Sequence, residues 1–280
     1  MMADFDPQAV NNYYGLKDLT QKILTALTDH GFDIENLTRE NLFTFDEFHI
    51  RGLEATTEMI ELAGVRPGMR ILDIGSGIGG PARTLAAVCD CHVTGIDVTE
   101  EFVAAAKELS ARVGLAEKNT FVVGSALELP FTDEAFDLVW LQHVNMNIPD
   151  KRALLAEARR VLRSGGVISF YEILAGREGA HPAYPAPWAS QREISFLETG
   201  DTIRDLVREV GLREESWRDV TEISAQWFAK MLSGPPPDKP RLTMSLINGS
   251  DFLSKARNVL AALEDGRLTV AQAIFTRPSR

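Results

Sequence analysis

Residues 69–80, Met-Arg-Ile-Leu-Asp-Ile-Gly-Ser-Gly-Ile-Gly-Gly, constrain this chain more than any other stretch. The apolar run Ile71, Leu72, Ile74 stops at Gly75, Gly77, Gly79 and Gly80, and Pro81 and good helix formers follow. The pattern predicts a buried strand, a tight turn and a helix start, since proline is tolerated in a first helical turn. Glycine is needed where a backbone turns with positive φ or must touch a ligand. The helix N-terminus behind such a turn also offers free N–H groups.

Two classes of cofactor loop fit the spacing. Gly75, Gly77 and Gly80 satisfy the G-x-G-x-x-G of dinucleotide binders. Gly75, Gly77 and Gly79, with Ser76 between the first two, satisfy the G-x-G-x-G loop of S-adenosylmethionine (SAM) methyltransferases. Asp73, two residues before the first glycine, separates them. A carboxylate there suits the cationic methionine end of SAM and would repel a pyrophosphate. His92-Val93-Thr94-Gly95-Ile96-Asp97 is a second short strand ending in an acid, placed to accept hydrogen bonds from ribose hydroxyls, with Val98 beside it.

The set resembles the class I SAM-dependent methyltransferases over about residues 50–220. Residues 71–79 match that family's first motif, and Gly95-Ile96-Asp97 matches its ribose-binding acid. Leu162-Arg163-Ser164-Gly165-Gly166 is similar to its turn before the fifth strand. The resemblance implies SAM as cofactor and a seven-stranded, mostly parallel sheet with an antiparallel last strand. It also implies that Ser125-Ala126-Leu127 face the adenine. The family usually has an acid at the first of these, and Ser125 accepts a hydrogen bond more weakly. The backbone N–H groups of Ala126 and Leu127 are the alternative donors.

Along the chain, Leu16, Leu19, Ile23 and Leu27 recur at helical spacing, an aromatic stretch follows from Phe43 to His49, and a helix runs from about 52 to 63. Residues 1–64 are expected to form a helical lid over a core of residues 65–280. The core alternates strands 71–74, 92–97, 120–123, 136–141 and 167–172 with helices 80–89, 100–113 and 150–162, Thr99 being a candidate N-cap. This predicts a doubly wound α/β fold, with ligands at the carboxyl ends of the strands. Residues 175–198, with three prolines, read as an irregular loop and substrate wall. A helix 202–210, a strand 212–221, a helical insertion 222–265 and a last strand 268–276 complete the chain.

The net charge of −11 argues against nucleic-acid or anionic-membrane partners. No apolar run is long enough to span a bilayer, the start lacks a signal peptide's pattern, and Cys89 and Cys91 form no disulfide framework. A cytoplasmic protein is the expectation. No metal-ligand cluster is evident.

Candidate chemistry lies after the fourth strand, in Trp140-Leu141-Gln142-His143-Val144-Asn145. His143 is the titratable group there and suits proton handling near neutral pH. Gln142 can hold the methionine part or the acceptor through its amide. Tyr14 and Tyr13 can assist deprotonation, and Phe45 and His49 are candidates for ligand contact. Trp140, Trp188 or Trp227 can cradle a methylated ammonium. This stretch is similar to sarcosine/dimethylglycine methyltransferases and to ubiquinone/menaquinone-type enzymes. An amine acceptor is therefore expected, with C- or O-methylation of a quinol or phenol as the alternative. A nicotinamide-dependent oxidoreductase and a non-catalytic SAM-binding protein are the rival classes.

Overall fold

The computed structural model describes residues 17–234, 246, 249 and 251–279. Tyr13, Tyr14 and Pro235–Pro237 lie outside the described residues. A seven-stranded sheet has the order β3-β2-β1-β4-β5-β7-β6. Its strands are β1 (Arg70–Ile74), β2 (His92–Asp97), β3 (Asn119–Val123), β4 (Phe136–Gln142), β5 (Leu162–Ala175), β6 (Arg213–Asp219) and β7 (Leu268–Thr276). β1 to β5 pair in parallel, and β7 inserts antiparallel between β5 and β6. This is the doubly wound class expected from the alternation of strands and helices.

Helices cover both faces. On one side lie α2 (Gly52–Leu62), α3 (Gly80–Cys89), α7 (Thr221–Ser233) and α8 (Phe252–Glu264), whose Met59, Leu85, Phe228 and Val259 share a core with Trp140 and Tyr171 of the sheet. On the other, α5 (Lys151–Val161) and α6 (Gly200–Glu209) pack Leu154, Leu155, Ile203 and Val207 against Leu72, Val139 and Phe170. α1 (Leu19–Asp29) lays Leu19, Ile23 and Leu27 with Phe45 on Phe102 and Leu109 of α4 (Glu100–Arg112). Each such buried side chain contributes roughly 1.5–3 kcal/mol, so this seam ties the N-terminal segment to the sheet layer. α2 contacts α3 and β5 directly.

Two local expectations are corrected. The glycine turn at 164–166 is part of β5, which begins at once after α5. Gly165 keeps the positive φ of a turn, +72°, within that strand. Its N–H donates to Arg277 O while Arg277 N–H donates to Gly166 O, so the stretch is a bulge held by the residue after β7. Thr99 occupies the N-cap position of α4 but its side chain makes no cap bond. Its N–H and hydroxyl serve Asp97 instead. Asp150 and Thr199 are the side chains that cap α5 and α6.

Candidate active site

The switch point between β1 and β4 opens two adjoining clefts at the carboxyl ends of the strands. One, of about 740 Å³ including its mouth, is lined by Gly75, Gly77, Asp97, Val98, Ser125, Ala126 and Leu127. The other, of about 810 Å³, is lined by Asp73, Gly75, Ser76, Gln142, His143 and a wall of apolar side chains. Phe48, Gly75 and His143 border both.

The glycine loop is shaped by contact. Gly75 and Gly77 have φ of +74° and +52°. A Cβ on Gly75 would lie 2.3 Å from Val144, and one on Gly77 would lie 2.6 Å from Phe48. Gly75 and Ser76 donate their N–H groups to Ile96 O at 2.8 and 3.1 Å. Gly77 donates to Asp97 Oδ2, and Thr99 N–H to Asp97 Oδ1, both at 2.9 Å. The third glycine of the dinucleotide spacing, Gly80, has a different job. A Cβ on Gly80 would lie 2.1 Å from Asp46 O, so that position admits the N-terminal segment.

Asp73 is 3% exposed, and its Oδ2 has no hydrogen-bond partner among the described residues, nor has Ser76 Oγ. Burial, with Glu47 and Asp97 nearby, pushes the Asp73 carboxyl up to about 8. A buried carboxyl with a spare oxygen is a site for a cation. Burial also raises Asp97 above the ordinary carboxylate range, against its backbone donors. No Lys or Arg lines either cleft among the described residues. The acids, the orphaned oxygens and the glycine cradle fit a cationic nucleoside and oppose a pyrophosphate.

His143 sits directly after β4 with φ +54°, its backbone N–H donating to Tyr171 O at 2.9 Å. Its Nε2 has no partner among the described residues. Burial, with His49 beside it, holds the imidazole well below its ordinary 6.5, so it is neutral. A neutral ring with a free nitrogen can accept a proton.

Four expectations change here. Gln142 borders the cleft, but its amide is engaged: Oε1 accepts from Trp140 Nε1 at 2.6 Å, and Nε2 contacts His49 and donates to Thr56. Trp140 is wholly buried, which removes it as a cradle for an ammonium, whereas Trp188 and Trp227 line the cleft. Phe45 is core, while His49 borders the cleft. Leu127 N–H donates to Ser125 Oγ at 3.1 Å, so it closes a local turn and Ala126 N–H is the donor left.

The residues that sequence reasoning passed over come from the N-terminal segment. Asp46 pairs with Arg83 at 2.8 Å, both buried, and burial pushes Asp46 up to about 6 against that pairing. Glu47 bonds His49, Thr56 and Thr84. Burial opposes its ionisation, but these bonds prevail and hold it below the usual range. Phe48 stands edge-on to Phe102 with ring centres 6.1 Å apart. The aromatic density from Phe43 to His49 was the available signal.

A family model described as a methyltransferase domain matches residues 72–170. The 27-O-demethylrifamycin SV methyltransferase of Amycolatopsis mediterranei is 30% identical over 225 residues, 78% of each chain. A sterol 24-C-methyltransferase of Gibberella zeae is 39% identical over 146 residues, 52% of this chain and 37% of that enzyme, so the chain spans well under half of that relative. The Haemonchus contortus phosphoethanolamine N-methyltransferase 2 solved with S-adenosyl-L-methionine has a TM-score of 0.72 at 20% identity, over 89% of this chain and 60% of that one. Breadth of this kind, added to the sheet order and to the acid-ended strands at its switch point, makes this chain a member of the class I SAM-dependent methyltransferases.

Proposed function

We propose that this protein binds SAM across the two clefts and transfers its methyl group to an apolar small molecule that carries no ionised carboxylate or phosphate. The observation that carries this reading is the lining of the cleft that holds Asp73 and Ser76. Its outer wall is Ile50, Met146, Ile173, Pro187, Trp188, Trp227, Phe228, Phe252 and Val259, and its charged groups are acids. Sarcosine or dimethylglycine would bring a carboxylate into this setting with no Lys or Arg lining it among the described residues. An anionic acceptor needs a cation or several donors to offset its desolvation. We therefore favour the alternative, methylation at oxygen or carbon, over an amine of that type. The relatives support it: one is named for a 27-O-demethylrifamycin acceptor and another for carbon 24 of a sterol.

Asp97 would hold the ribose hydroxyls, Ala126 N–H the adenine edge, and Asp73 with Ser76 the cationic methionine end. When bound, the sulfonium supplies a methyl already activated for displacement. The chain's residues then align the acceptor and exclude water. His143, neutral and bordering both clefts, accepts the proton from a hydroxyl or an activated carbon. The segment 42–51, with Phe48 over the loop, and the loop carrying Pro187 and Trp188 act as cover. Tyr14, outside the described residues, remains a candidate partner of His143.

Calorimetry with SAM, S-adenosylhomocysteine and NAD in parallel tests the cofactor. Binding of the first two alone supports it, and binding of NAD alone sinks it. An acceptor screen then compares neutral phenols, macrocyclic polyketides and sterols with sarcosine and dimethylglycine. Turnover only of the charged amines would overturn the acceptor class. SAM binding without any methylated product would favour the non-catalytic reading. His143→Ala should lower turnover more than SAM affinity.

A further inference from the structure

We infer that Glu172 of β5 and Lys151 of α5 form a two-sided clamp that sets the backbone of residues 143–148 and so positions His143. The inference rests on the role proposed above for His143 as the proton acceptor. Glu172 is fully buried and borders neither cleft. Its Oε1 accepts from Val144 N–H and its Oε2 from Asn145 N–H, each at 3.1 Å. From the other side Lys151, 3% exposed, donates through Nζ to Asn145 O and Ile148 O. One buried acid thus holds two donors of this turn, and one buried amine holds two of its acceptors.

The turn needs such restraint. His143 lies in the left-handed region, which non-glycine residues avoid, so its backbone must be imposed by its surroundings. Val144, Asn147 and Ile148 of the same turn border the adenosine-side cleft, and Trp188 O accepts from Asn147 Nδ2 at 2.9 Å. Burying a carboxyl and an amine carries a desolvation penalty that an apolar pair would avoid. Burial raises Glu172 to about 8 and lowers Lys151 to about 7. Neither group reaches the ligand clefts, so their bonds to the turn are the function the geometry gives them.

The test uses Glu172→Gln and, separately, Lys151→Met in the full chain. The glutamine keeps one acceptor but presents an NH2 to the other N–H. At saturating SAM, turnover of the acceptor found in the screen should fall about tenfold to a hundredfold, with its KM within about threefold of the parent. The imidazole NMR resonances of His143 should shift in both variants. Should the glutamine variant not fold, Lys151→Met gives the same readings, and slow exchange of the Val144 and Asn145 amides in the unmodified protein gives a third. Unchanged ring resonances and turnover in a folded variant, or rapid exchange of those two amides, would overturn the clamp. If His143→Ala keeps full turnover while Glu172→Gln still moves the ring resonances, the proposed role of His143 fails and the clamp stands.

Discussion

Gly77 hands its backbone N–H to Asp97 Oδ2 across 2.9 Å, so the glycine loop and the end of β2 move as one unit. The second oxygen of Asp97 takes the Thr99 N–H, and the Thr99 hydroxyl and Val98 N–H also serve this carboxylate, so ribose hydroxyls would have to share or displace these donors. Asp97→Ala therefore removes a ligand and also frees the loop. Hydrogen bonds to a charged group contribute roughly 1.5–3 kcal/mol, so SAM affinity should drop about tenfold to a hundredfold. Calorimetry on the variant checks this, and an unchanged Kd would refute the site assignment.

Asp73 gives a pH-dependent prediction. Its carboxyl is raised from an ordinary 3.8 to about 8 by burial and by Glu47 and Asp97. Between these values the folded chain holds a proton that the unfolded chain has released. Stability contributed by this group is present at low pH and is lost as pH rises towards about 8. A full proton difference corresponds to about 1.4 kcal/mol per pH unit. Asp73→Asn should flatten that slope and be more stable than the parent near the upper end of the window, while binding SAM more weakly. In the parent, a bound cation favours the carboxylate, so SAM affinity should rise with pH and release protons below the upper value. Thermal melts across the window, and calorimetry in two buffers of different ionisation enthalpy, measure both. A stability gap that does not vary with pH would rule this out.

The loop and its acids were legible in the sequence because their roles are local. A strand must end, a chain must turn, and a carboxylate must follow at fixed spacing, so Asp73, Gly75, Ser76, Gly77, Asp97 and Val98 all border the clefts. Strand and helix periodicity likewise placed the seven strands. The missed features depend on contacts between distant residues. Gln142 borders the cleft as its place at the end of β4 implies, but no local pattern shows that its amide also bonds Trp140 on its own strand and His49 and Thr56, which lie 93 and 86 residues away. No spacing rule reveals that Glu172 would bond the turn after β4, because the link runs between neighbouring strands. The apolar-walled cleft is assembled from α7, α8 and the loop before α6. The loop reads as a substrate wall and Trp188 and Trp227 as candidate contacts from sequence, whereas Phe228, Phe252 and Val259 carry no local signal that separates them from core.

Trp227 and Phe228 extend from α7, and Phe252 and Val259 from α8, into the acceptor-side cleft. Trp227 is half-buried there, so truncating it opens the wall without emptying the core. Trp227→Ala should raise the acceptor KM about tenfold and admit bulkier acceptors, since apolar pocket contacts discriminate by roughly 1–3 kcal/mol. SAM affinity should fall far less than acceptor affinity, because Trp227 is absent from the adenosine-side lining and shares only the cleft that takes the methionine end. Equal loss of SAM and acceptor binding would mean that the two clefts are not divided as proposed.

Arg83 and Asp46 tie the N-terminal segment to α3 at 2.8 Å, with side chains 0% and 1% exposed. Arg83 also donates to Ile78 O at 2.8 Å, inside the glycine loop. Removing the guanidinium strands Asp46 in a dry site next to Glu47, whose charge already opposes its ionisation. Breaking one side of such a pair destabilises by about 3–5 kcal/mol. Arg83→Leu should therefore unfold at lower urea, and adding Asp46→Asn should recover much of the loss by removing the stranded charge. SAM affinity should fall with the single change, because Asp46 and Phe48 both border the cleft. If the double variant is no more stable than the single one, the segment is held by shape and not by this charge pair.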